Sequence, residues 1–291
     1  QGDLTGARDE IAVAKCRCTG GTADDGQVAI DGWTTDSTRY IKVWTDPAEA
    51  YRHNGTYQST KYRIGTKRRS DFYHIGVFED FVRLEGLQFV RQTDGGMYMC
   101  VWLGYDRTQI TDIRILNNIF LQTETNASYN IIAIQGAVDH MRCHVVNNIF
   151  IDFADSYGDG GIGVHAGNYY IGSDSSPWCI YNNTFSNCHV GIESHRNNVA
   201  LAKNNIFSGC GTPCLNTFAS GSGYNATDDS SIGYTVTGGA TGDRVSQTFS
   251  FVDPDNGDFH LQSNDTGAKG YGLNLYNDPV FPFQTDIDGD D

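Results

Sequence analysis

Four short segments of the chain carry side chains of complementary chemistry at matching positions. MCVWL at 99–103, IAIQG at 132–136, IGVHA at 162–166 and VGIES at 190–194 align without gaps, and their fourth residues are Trp102, Gln135, His165 and Glu193. If the segments are neighbouring strands, an indole, an amide, an imidazole and a carboxylate stand in one outward row. Such a row is a candidate carbohydrate-binding strip, because rings stack on pyranose faces and polar tips bond hydroxyls. The plainer reading is a surface row without a ligand, since outward strand positions are polar in any case.

Catalysis is the sharper alternative. His165 and Glu193 have Asp159, His195 and Arg196 close by in sequence. A polysaccharide lyase needs a base and a group or metal that neutralises the substrate carboxylate. A glycoside hydrolase needs two carboxylates at a defined separation. The row offers Glu193, with Asp159 on a loop as a second carboxylate, so neither constellation is complete. Two further clusters alternate carboxylates: Asp253, Asp255 and Asp258 in DPDNGD, and Asp286, Asp288 and Asp290 in DIDGDD. They are weak calcium candidates, because neither completes a twelve-residue loop ending in Glu. Otherwise the chain calls for no cofactor or metal.

The row exists only if a repeat positions it. ILNNIF at 115–120, VVNNIF at 145–150, IYNNTF at 180–185 and AKNNIF at 202–207 match without gaps, and RLEGLQF at 83–89 is a weaker fifth. With Gly86 aligned to the second Asn, the anchors are Gly86, Asn118, Asn148, Asn183 and Asn205. The segments are rich in β-branched and aromatic residues, and each is too short for a stable helix. A strand–bend–strand coil fits, with Asn or Gly at the bend. Stacked coils predict an amide ladder along Asn118, Asn148, Asn183 and Asn205. Two residues on, Phe120, Phe150, Phe185 and Phe207 should form an interior column.

In these Asn-Asn-hydrophobic-Phe repeats, across about residues 80–210, the chain resembles the right-handed parallel β-helix proteins, a group that includes pectate lyases and phage tailspikes. FVDPDNGDFHL at 251–261 and TDIDGD at 285–290 resemble tail segments of secreted bacterial members. The resemblance implies an all-β, right-handed parallel β-helix. It does not imply an activity, because this scaffold hosts enzymes, adhesins and structural proteins. The whole chain, 1–291, reads as one domain: a cap or first coil at 1–30, the clearest repeats at 80–210, and irregular loop and final coils at 211–291. Residues 3–15, with Ile11, Val13 and Ala14 apolar, are expected to form a short capping helix.

Cys188 and Cys210 each follow their anchor by five residues, which predicts neighbouring positions and a disulfide; the local pair Cys210–Cys214 is the rival. Cys143, on an inward position, reads as a buried thiol. Eight cysteines, five N-x-S/T sequons (Asn54, Asn126, Asn182, Asn225 and Asn264) and a first residue other than Met fit a secreted, glycosylated chain. A net charge of −15 argues against nucleic acid, and Lys67-Arg68-Arg69 is the only short basic run. No apolar stretch is long enough to span a membrane. The expectation is an extracellular, non-catalytic solenoid that serves as a structural or fibre-forming subunit. It would associate through its ends or faces and contact polysaccharide or cell-surface glycan. The alternative is a carbohydrate-active enzyme or binding module that uses the Trp102–Glu193 face.

Overall fold

The computed structural model describes residues 2–6, 9–18, 21–66, 72–91, 98–104, 110–123, 131–137, 141–154, 160–167, 178–195 and 200–288. Three seven-stranded sheets, parallel throughout, wrap one core and make the chain a parallel β-solenoid. The first sheet runs from Ala12–Lys15 to Ala200–Lys203. The second runs from Ile64–Thr66 to Ala226–Thr227, and the third from Val28–Ile30 to Thr212–Leu215. The coils therefore extend beyond the 80–210 window at both ends.

The bend between the first two sheets divides its work between the two asparagines. The first of each pair (Asn117, Asn147, Asn182 and Asn204) has a φ between 52° and 56°, the left-handed region that asparagine tolerates. The second turns inward and builds the expected ladder. Asn118, Asn148 and Asn183 each donate backbone N–H and side-chain Nδ2 to the Oδ1 of the next, at 2.9–3.0 Å. Asn205 does the same to Asn225, whose backbone N–H donates to Asp243 Oδ1 at 2.9 Å. The ladder thus continues one rung past the repeats and closes on a carboxylate.

The weak fifth repeat sits one residue away from the expected alignment. Gly86, at φ +69°, matches Asn117, and the Leu87 N–H donates to Asn118 Oδ1 at 2.9 Å. With that shift Phe89 joins the aromatic column. Phe89, Phe120, Phe150, Phe185 and Phe207 stack at centroid distances of 4.7, 4.8, 4.6 and 5.0 Å, each contact adding about 0.5–1.5 kcal/mol beyond burial. Glycines face the lower rings. A Cβ at Gly163 or Gly191 would come within 2.7 or 2.6 Å of Phe185 or Phe207.

The expected N-terminal helix is absent, and among the described residues there is no α-helix. Ala12–Lys15 is instead a strand in register with Ile41–Trp44. An open sheet edge offers four residues a ladder of long-range hydrogen bonds, which outweighs a helix too short to sustain itself. The expected disulfides are absent too, since all eight cysteines are free thiols. Cys188 and Cys210 are neighbours on adjacent coils, as their spacing predicts, and Gly211 N–H donates to Cys188 O at 2.9 Å. Both are buried, as are Cys143 and Cys214, and they pack as small apolar side chains.

The segment 246–288 adds no coils. It folds back over the outside of the first two sheets as a strap. Phe251 and Phe259, on the antiparallel hairpin Phe251–Asp253 and Asp258–Leu261, pack on Ile119, Ile149 and Ile151. Leu275, Phe281 and Phe283 cover Val146, Tyr181 and Leu201. Lys203 Nζ meets Asp278 Oδ2 at 2.6 Å in a buried ion pair. The outward amides of the bend asparagines pin the strap: Asn147 Nδ2 donates to Thr285 O at 2.6 Å, and Asn204 Nδ2 to Leu273 O at 2.9 Å.

Two tests follow from these contacts. Asn148→Ala leaves the buried Asn118 N–H without its acceptor and removes the amide donor to Ile115 O, and should lower unfolding free energy by roughly 1–3 kcal/mol in urea. Asn117→Gly keeps the left-handed bend and removes a buried Oδ1 that accepts no hydrogen bond, so it should stay within about 1 kcal/mol of wild type. The second test concerns His260, which lies between Asp258 and Asp288. Burial lowers its pKa, but the hydrogen bonds and charge of the two carboxylates outweigh burial and the net shift is upward. A raised folded-state pKa stabilises the strap below the ordinary histidine value and is lost as pH rises through the folded value. Hydrogen exchange, corrected for intrinsic rates, should show strap protection falling as pH rises, and His260→Gln should abolish that dependence.

Candidate functional site

Strand pairing places the row as expected. Trp102 pairs with Gln135, Gln135 with His165, and His165 with Glu193, and the row continues to Gly76 and Leu215 at its ends. The residues on either side of it, such as Val164 and Ala166, belong to the core, so alternation turns the row outward. This is also the sheet that the described strap leaves uncovered.

Outward does not mean exposed here. Trp102 and Glu193 are partly exposed, but Gln135 is 6% exposed and His165 0%. The two accessible members stand three rungs apart, about 14 Å, with buried side chains between them. Trp102 itself joins an aromatic group. Its ring lies 5.4 Å from Tyr73 and 6.1 Å from Phe78, which are 5.8 Å from each other. Tyr73 and Phe78 flank Gly76, the row member beside Trp102, and that spacing was the sequence signal for the patch.

At the other end of the row three polar groups converge. His165 Nε2 lies 3.7 Å from Glu193 Oε2, and His195 Nδ1 lies 3.6 Å from Glu193 Oε1. The two imidazole centroids are 5.0 Å apart. His195 follows Glu193 by two residues, so the strand period carries it to the same face, and its N–H donates to Ala166 O at 2.9 Å. Gln135 Nε2 lies 2.8 Å from His165 Nδ1 and also donates to Gly136 O at 2.8 Å. An amide N–H pointing at Nδ1 makes that nitrogen the acceptor and places the proton of the neutral ring on Nε2, toward Glu193. Burial, and then the neighbouring His195, lower the His165 pKa to about 3.

One donor atom from each of His165, Glu193 and His195 lies within 4.8 Å of the other two, the only group of three or more such donors among the described residues that close this tightly. The same arrangement could also carry acid–base chemistry, with a neutral imidazole beside a carboxylate. Asp159 and Arg196, the other weak catalytic candidates, lie outside the described residues.

The calcium candidates hold the strap together. Asp258 and Asp288 bond the two nitrogens of His260, the latter at 2.7 Å. Asp286 Oδ1 accepts the Asp288 N–H, and Asp253 Oδ2 accepts Asn256 Nδ2. Asp255 is exposed, and Asp290 lies outside the described residues. Among the sequons, Asn54 and Asn264 are exposed and Asn182 sits at a bend under the strap. Asn225 is fully buried with its amide in the ladder, which leaves no room for glycan on the folded chain. Asn126 lies outside the described residues. No helix among the described residues is long and apolar enough to cross a membrane. No protein-family model matches the chain, and no curated protein matches it.

The site makes a spectroscopic prediction. His165 should remain neutral, with its proton on Nε2, from pH 5 to pH 8 in long-range nitrogen–proton NMR spectra. Its depressed pKa gives stability that is present above the ordinary histidine value and falls as pH drops below it, the opposite sign to His260.

Proposed function

We propose that the chain is a non-catalytic structural solenoid that works outside the cell and assembles by joining a second copy through its first coil. One observation carries this reading. Among the described residues the edge strands Ala12–Lys15 and Val28–Ile30 pair on one side only, and Ile11, Val13 and Val28 are 44–54% exposed beside them. An open parallel edge with apolar flanks is a template for another strand. The opposite end is different. Phe218, Ile232 and Val236 fill its core, and the strand Thr235–Val236 is two residues long among polar turns. Pairing of like ends therefore fits better than a head-to-tail fibre, because an isologous contact uses one surface twice.

Exposed sequons at Asn54 and Asn264 support an extracellular setting, and glycan there would oppose side-by-side aggregation. The aromatic patch of Tyr73, Phe78 and Trp102 favours a second reading, a carbohydrate-binding face.

Sedimentation velocity over a range of concentrations, with negative-stain microscopy, tests the proposal. Wild type should form an end-to-end pair, and Val13→Lys with Val28→Lys should shift it to monomer while the protomer stays folded by circular dichroism. A protein that stays monomeric throughout, yet is retarded by a polysaccharide gel in a manner lost in Trp102→Ala, would replace assembly with carbohydrate binding.

A further inference from the structure

We infer that His165, Glu193 and His195 form a binding site for a divalent transition metal, zinc foremost, on the outer face of the third sheet. The geometry is the first argument. The contacts of 3.7 Å and 3.6 Å to Glu193 are too long for hydrogen bonds. They are close to the edge of a coordination shell, because two donors each about 2.0–2.1 Å from a tetrahedral ion stand about 3.3–3.4 Å apart. One donor atom from each of the three lies within 4.8 Å of the other two, so side-chain adjustment of about an ångström draws them in around an ion.

The donor set chooses the metal. Calcium and magnesium take oxygen ligands, whereas two imidazoles and one carboxylate suit zinc and its transition-metal neighbours. The carboxylate offsets part of the ion's charge. Three protein ligands leave a fourth position for water or another ligand, and the partly exposed Glu193 and His195 side chains give an ion a route in from solvent. The frame is rigid: His165 and Glu193 are in register on paired strands, and the His195 backbone is bonded to the coil before it.

Gln135 supplies the second layer that a metal-bound histidine requires. With the amide nitrogen toward Nδ1, the ring proton occupies Nε2. An ion at Nε2 moves that proton to Nδ1, and a half-turn of the Gln135 amide presents its oxygen to accept it. The half-turn gives up the bond to Gly136 O, one neutral hydrogen bond, which is small beside the affinity of a three-ligand zinc site.

The test is a Co²⁺ titration of the full chain after chelator treatment, followed by competition with Zn²⁺. One equivalent of Co²⁺ should produce the visible d–d bands of a low-symmetry site, and one equivalent of Zn²⁺ should erase them. Glu193→Gln and His195→Gln, at partly exposed positions where folding should survive, should weaken binding by at least about 100-fold, and Gln135→Ala by about 10-fold. His260→Gln should leave it unchanged. Absence of the cobalt bands in wild type, or stoichiometric binding of undiminished affinity in folded His195→Gln, would overturn the inference.

Discussion

The coils from Asn117 to Asn205 depend on one bend at which two adjacent residues do incompatible things. One takes a left-handed backbone and faces out. The next faces in and satisfies buried backbone groups along the solenoid axis. Asparagine can do both, because its short amide tolerates the left-handed region and carries a donor and an acceptor at the spacing of stacked strands. Each ladder amide also reaches across coils to a carbonyl, as Asn148 does to Ile115 O and Asn183 to Val145 O. A buried bend would otherwise strand several polar groups, at about 1–3 kcal/mol each. The aromatic column beside it follows from the same register, since fixing the bend fixes which residue lands inside two positions later.

That constraint also decides what the outer surface can do. The outward asparagines become attachment points for the strap, which closes over the first two sheets through apolar contacts, the Lys203–Asp278 pair and the clasp of His260 between two aspartates. Among the described residues the third sheet keeps its polar row clear of the strap. The row is held to strand-level precision by the same stacking that builds the core. Its histidine is kept neutral by burial while the clasp histidine is pushed toward its charged form, so one fold uses imidazole in two opposite electrostatic settings.

Much of this was legible residue by residue. The register of Trp102, Gln135, His165 and Glu193 followed from aligning four pentapeptides, and the Asn and Phe columns followed from the repeats. The one-residue shift at Gly86 was harder to see, because a repeat without the Asn pair has two plausible alignments; the clue was Phe89, which joins the column only in the other one. The helix expected over 3–15 failed because amphipathic spacing is a local signal, whereas the edge strand forms through pairing with residues 41–44. The cysteine spacing gave the neighbours but not the bond, since proximity and oxidation are separate questions.

Composition and repeat spacing alone determined an all-β, coil-stacked chain with an asparagine bend, because periodic side-chain chemistry is written in consecutive residues and survives without knowledge of distant contacts. Tertiary structure alone decided that His195 joins His165 and Glu193, that Gln135 and His165 are buried though they face outward, and that two distant aspartate clusters meet across His260. Those facts depend on how far apart coils stand and where a folded-back tail lands. Both are set by the sum of long-range contacts, and no short stretch of sequence records them.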